Sequence, residues 1–120
     1  MNMTTMNVEK RVSGKSSVVV LDAPERFVVS NRFDLRERVL SALDCGVRAI
    51  VLDLSLTDYI DSAGLGTLVL LAKRAREMGA RVVLSGLNDR LADLLRLTQL
   101  DQVFEQASTL DEGRKLAALA

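Results

Sequence analysis

A β-branched run, a short loop, a long amphipathic run and a second β-branched run follow one another in the middle of this chain. No other feature constrains its fold as much. Ala49-Ile50-Val51-Leu52-Asp53-Leu54 is apolar at nearly every position, the pattern of a strand buried on both faces. From Leu65 to Met78, Leu65, Leu68, Val69, Ala72 and Ala75 form one helical stripe, while Lys73, Arg74, Arg76 and Glu77 face outward. Gly79 predicts the end of that helix. Arg81 to Ser85, with Val82-Val83-Leu84 at its centre, is the next strand. Strand, helix, strand in this order predicts parallel pairing through a crossover. Between the first strand and the helix lies Ile60-Asp61-Ser62-Ala63-Gly64-Leu65-Gly66, a loop opening onto a helix N-terminus. A serine there meets free backbone N–H groups at the positive end of a helix dipole. Capping alone accounts for such a serine.

The flanks extend the same alternation. Met6 to Val12 and Ser17 to Leu21, joined by Gly14-Lys15-Ser16-Ser17 turn chemistry, predict an opening β-hairpin that Pro24 ends. Asp22 to Val29 carries the weakest pattern; Phe27-Val28-Val29 either extends the sheet or covers one edge. Ser30 or Asn31 caps a helix to about Leu43, with Leu35, Val39, Ala42 and Leu43 on its buried face and Gly46 as its stop. Leu56 to Ile60 reads as connection. Asn88 caps a third helix burying Leu91, Leu94, Leu95 and Thr98. Val103-Phe104 is a short last strand. Ser108 with Asp111 resembles a capping box opening a final helix to about Leu119. The pattern predicts an α/β fold: one mixed sheet of four to five strands with about four packed helices, residues 1–120 forming a single domain whose last residues fray.

Composition narrows the chemistry. The chain has 120 residues, 48% of them apolar, so it can bury a sizeable core. Its formal net charge is zero and aromatics make up 3%, which leaves neither a basic field nor stacking surfaces for nucleic acid. There is no histidine, which removes the usual general base, the Ser-His triad and the commonest metal ligand. One cysteine, Cys45, excludes an internal disulfide and a CxxC pair and fits a reducing compartment. Met1 to Asn7 lacks the n- and h-regions of a signal peptide. No apolar run approaches the ~20 residues that span a bilayer. The expectation is a soluble, cytoplasmic protein.

Three aspartates, Asp53, Asp58 and Asp61, lie near a strand end, where open α/β sheets carry their sites. Without a basic or nucleophilic partner they read as solvated turn and capping residues rather than as a metal or acid–base site. A phospho-acceptor receiver domain would need an acidic pair after its first strand and a lysine after its last; neither is present. Gly64-x-Gly66 is not a GxGxxG and no GKS/T follows, so the two glycines read as permitting a tight turn and close packing of the helix start. No cofactor and no metal are expected.

Taken whole, Asp53-Leu54-Ser55 through Tyr59-Ile60-Asp61-Ser62-Ala63-Gly64-Leu65-Gly66 resembles the signature of the STAS domain, and in particular of bacterial anti-sigma-factor antagonists. The resemblance continues through Gly79-Ala80-Arg81-Val82-Val83-Leu84 and Leu94 to Phe104, over half the chain. It implies a non-enzymatic binding switch in transcription regulation. The unmodified antagonist sequesters an anti-sigma factor that is also a serine kinase and so frees a sigma factor. The kinase phosphorylates the serine matching Ser62, and a serine phosphatase reverses this. Asp61, Ser62, Ala63, Gly64, Leu65 and Gly66 would then form the partner-binding stretch, with Asp61 orienting the hydroxyl or the loop. Where the family has Gly-x-Leu/Ile-Asp after its second strand, this chain has Glu25-Arg26-Phe27-Val28. Ala63 removes an alternative acceptor. Single STAS domains also serve as scaffolds in stress-signalling complexes and as accessory subunits of lipid-transport complexes, the alternative without sigma-factor control.

Overall fold

A computed structural model describes residues 8–13 and 16–119, with side chains from residue 18 onward. The expected strand start at Met6-Asn7, the Gly14-Lys15 turn and the Met1–Asn7 leader reading lie outside the described residues.

Strands β1 (Val8–Ser13) and β2 (Ser16–Asp22) form the expected antiparallel hairpin. β2 then pairs in parallel with β4 (Ala49–Asp53), β4 with β6 (Arg81–Ser85), and β6 with β7 (Glu105–Ala107). The sheet is five-stranded and mixed, in the order β1-β2-β4-β6-β7. Its central strands bury both faces, which is why they read as unbroken apolar runs. Val19, Leu21, Ile50, Leu52, Val82 and Leu84 point to one side; Val18, Val20, Ala49, Val51 and Val83 point to the other. Helices α1 (Arg32–Asp44), α2 (Ser62–Glu77) and α3 (Asp89–Leu97) supply the side chains of the first layer, while α4 (Leu110–Ala117) covers the second. Gly46 and Gly79 adopt φ of +88° and +74° just past α1 and α2, the left-handed stops the sequence predicts.

Several expectations need correction. Phe27 neither extends the main sheet nor covers its edge. β3 (Arg26–Phe27) pairs in parallel with β5 (Tyr59–Ile60) as a separate two-residue ladder, so Tyr59–Ile60 is strand rather than connection. Phe27 is wholly buried there and ties the weakly patterned stretch into the core. The last strand begins at Glu105, two residues later than the expected Val103-Phe104. Phe104 turns inward to the core, and Glu105 accepts a two-pronged bond from Arg81 on the neighbouring β6. Asn31 occupies the N-cap position of α1 without capping it; its Oδ1 accepts from Val28 N–H and its amide donates to the Arg26 carbonyl. Thr109, not Ser108, caps α4, accepting from Glu112 N–H at 3.1 Å. On α2, Leu71 and Thr67 join the buried face that Leu68, Ala72 and Ala75 define, while Leu65 and Val69 are only half-buried. Thr98 is exposed, its hydroxyl donating back to the Leu94 carbonyl.

Candidate functional site

The short β3–β5 ladder brings two helix starts together at one residue, Asp61. β5 ends at Ile60, and Asp61 follows as the N-cap of α2 with extended backbone. Its Oδ1 accepts from Gly64 N–H at 2.8 Å, closing the first turn. Its Oδ2 accepts from Val29 N–H at 3.0 Å, in the turn that enters α1. Its own N–H donates to the Phe27 carbonyl at 3.2 Å. The Gly64 N–H bond holds the Asp61 carboxyl below the ordinary carboxylate range. Partial burial opposes that pull, and Val29 N–H, Ala63 N–H and the Arg32 charge add to it. Asp61 therefore fixes the start of α2 against the turn into α1, and no hydrogen bond among the described residues ties it to the Ser62 hydroxyl.

Ser62 is the first residue of α2 and is exposed; its hydroxyl makes no hydrogen bond among the described residues. The sequence left capping available as a complete explanation of this serine. In the fold, capping belongs to Asp61. Ala63 is half-buried beside it. The expected loop over 60–66 is instead the end of β5 at Ile60, a cap at Asp61 and helix from Ser62 onward, so all four residues after Ser62 are helical.

The two glycines separate. A Cβ on Gly64 would stand 2.2 Å from the Phe27 carbonyl oxygen and 3.1 Å from Ile60 Cγ2, so Gly64 exists for close packing of α2 on the ladder. Gly66 is exposed, and a Cβ there would meet nothing within 4 Å. Neither glycine shows a positive φ, so neither serves a turn. A glycine inside a helix costs roughly 0.5–1 kcal/mol relative to alanine, and no contact within the described residues requires one at Gly66. Ser62, Gly66 and Leu70 lie at successive i, i+4 steps on one side of α2, and Leu70 is 40% exposed. Val29, whose N–H bonds Asp61, Tyr59 in β5 and Phe33 in the first turn of α1 are also exposed apolar side chains, and Leu56 is another, in the connection before β5. Arg26 stacks over Tyr59 at 4.5 Å, and Arg32 over Phe33 at 4.7 Å. Periodicity could not find these residues, because exposed apolar side chains in short connections carry no repeat. Leu65, by contrast, is half-buried against the core and gives the surface only its edge.

Asp53 and Asp58 do not join Asp61. Asp53 Oδ1 accepts from Ser55 N–H in a local turn, and Asp58 N–H donates to the Glu25 carbonyl. Among the described residues no three His, Cys, Asp or Glu side chains are grouped so as to hold a metal. Among the same residues no helix is long and apolar enough to cross a membrane.

Comparison with known proteins places these features in a group. Residues 8–113 match the STAS domain family. The candidate anti-sigma factor antagonist BtrV of Bordetella bronchiseptica is 32% identical over 91 residues, which covers 76% of this chain and 75% of that protein. The anti-sigma-B factor antagonist of Listeria monocytogenes is 43% identical over 58 residues, 47% of this chain and 51% of that protein, so the match spans about half of each. Among solved structures, the Thermotoga maritima protein TM1081, a candidate anti-sigma factor antagonist, superposes with a TM-score of 0.78 at 25% identity over 93% of this chain and 95% of its own.

Proposed function

Because the chain belongs to the STAS domain family, we propose that it is an anti-sigma-factor antagonist: a protein-binding switch set by phosphorylation of Ser62. Unmodified, it sequesters an anti-sigma factor that is also a serine kinase, and a sigma factor is released. The kinase transfers the γ-phosphoryl group of ATP to Ser62 Oγ; ADP leaves and the hydroxyl proton passes to the kinase's base. A serine phosphatase restores the hydroxyl by hydrolysis. The chain supplies an acceptor and a surface and does no catalysis of its own, working in the cytoplasm where its partners are.

The observation that carries this reading is the division of labour at the start of α2. Asp61 caps the helix, so Ser62 has no structural duty and offers its hydroxyl to solvent. Gly66, one turn on, leaves the helix backbone open to a partner's close approach. Leu70, Tyr59 and Leu56 supply exposed apolar area to bury.

A phosphate adds about −1.5 to −2 charges at pH 7. The first-turn N–H groups that would welcome an anion are already engaged by Asp61, whose carboxylate takes Gly64 N–H and leans on Ala63 N–H. The added charge therefore stands beside a carboxylate, at the centre of a surface that must be desolvated on binding. A loss of only about 3 kcal/mol weakens a complex by more than a hundredfold.

Incubation with the cognate anti-sigma kinase and ATP, followed by mass mapping, tests the acceptor. The expected result is one phosphate on Ser62 and none on Ser62→Ala. Phosphate on another residue, or undiminished labelling of Ser62→Ala, would overturn the assignment.

A further inference from the structure

A dianion on Ser62 needs a cation, and α2 offers none in its first turn. The bond from Val29 N–H to Asp61 Oδ2 sets the start of α1 against the start of α2. Arg32 is the first residue of α1, three positions after Val29. Its guanidinium lies over the exposed ring of Phe33, with Arg36 over the same ring at 5.5 Å. The Nε atoms of both arginines are shielded from solvent and make no hydrogen bond among the described residues. Neither arginine has an ion-pair partner among those residues, whereas Arg38 on the same helix pairs with Asp34 at 3.2 Å. Arg32 is also near enough to Asp61 for its charge to favour the carboxylate. Asp61 itself is acidic, and Arg26 is stacked on Tyr59.

Resting on the assignment of Ser62 as acceptor, we propose that Arg32 is the counter-charge of phosphorylated Ser62, and that pairing with the phosphate draws it off the face of Phe33. A guanidinium is suited to this by its fixed fork of donors, which matches two phosphate oxygens at once. The pairing gives the modification a second effect on the docking surface. Beyond the added charge, the cation that shielded one face of Phe33 leaves, and the ridge Arg32-Phe33-Arg36 is rearranged.

The test installs phosphoserine at position 62 during translation of the full chain, so that it does not depend on any kinase. The second ionisation of the phosphate, near pH 6 in a free phosphoserine, is followed by phosphorus NMR in three backgrounds: unsubstituted, Arg32→Gln and Arg38→Gln. Arg32→Gln should raise that pKa by about 0.5 unit or more, as loss of a neighbouring cation requires. Arg38→Gln removes the same charge from the same helix and should leave it unmoved. Arg32→Lys should restore part of the shift, since it keeps the charge and loses the fork. Equal values in the Arg32→Gln and unsubstituted proteins, or equal rises for Arg32→Gln and Arg38→Gln, would overturn the pairing. Failure of a kinase to label Ser62 would overturn the acceptor assignment and leave this titration to decide Arg32 separately.

Discussion

At the scale of single residues, the site separates into side chains that hold the fold and side chains the fold does not use. Gly64 belongs to the first group and Gly66 to the second, although the sequence presents them as a pair. Gly64→Ala should destabilise the protein by about 1–3 kcal/mol, because the added methyl overpacks against backbone. Gly66→Ala should raise stability by about 0.5–1 kcal/mol through helix propensity while weakening binding to the anti-sigma factor. Denaturant titrations of the two variants read both signs; a Gly66→Ala protein less stable than its parent would mean that the fold itself requires this glycine. Asp61 makes a prediction in pH. Its pKa is lowered on folding, so its ionised form contributes stability that is fully present above the unfolded value, near 3.9. That contribution is lost as the pH falls through the lower folded value. Asp61→Asn keeps a capping oxygen but cannot ionise. The stability difference between parent and Asp61→Asn should therefore be level from pH 5 to 7 and close below about pH 4. A difference that persists undiminished into acid would assign the effect to shape rather than charge.

At the scale of elements, the strands and long helices were legible because burial on two faces or on one stripe leaves a periodic mark. Ala49–Asp53, Arg81–Ser85 and the body of α2 fall where that mark puts them. The remaining elements are built from contacts rather than periods. A two-residue ladder such as Arg26–Phe27 with Tyr59–Ile60 is too short to show alternation, and it is the ladder that positions Asp61. Caps were legible by type and misassigned by position. Asn88 accepts from Leu91 N–H at 2.8 Å as the sequence implies, while α4 begins one residue later than its Ser108 signal. Thr109→Ala should cost about 1 kcal/mol, and Ser108→Ala should stay within about 0.5 kcal/mol. Thermal unfolding of the pair checks this, and the reverse order would restore Ser108 as the cap. For the candidate site, the motif points to Ser62 and its neighbours. It could not reveal that Asp61 rather than Ser62 caps α2, nor that Phe33, Tyr59 and Leu70 stand exposed, since exposure is decided by what the rest of the chain covers.

At the scale of the whole molecule, the sheet works as a rigid plate with unequal covers. Three helices bury one face and α4 buries the other, where Gly113 lets it settle against Val51 and Ser85. Ser62, Gly66 and Leu70 are exposed on α2, outside both cores. A charge placed on Ser62 therefore has no buried contact to break, and under the proposed function it would act through the partner. Under the proposed function, modification changes binding while the fold is unchanged. Calorimetric titration of the cognate anti-sigma factor with unmodified protein and with protein fully phosphorylated at Ser62 tests it most directly, with circular dichroism of both forms alongside. Superimposable spectra and at least a hundredfold weaker binding by the phosphorylated form are expected. Equal affinities, or a loss of affinity accompanied by loss of helix, would contradict it.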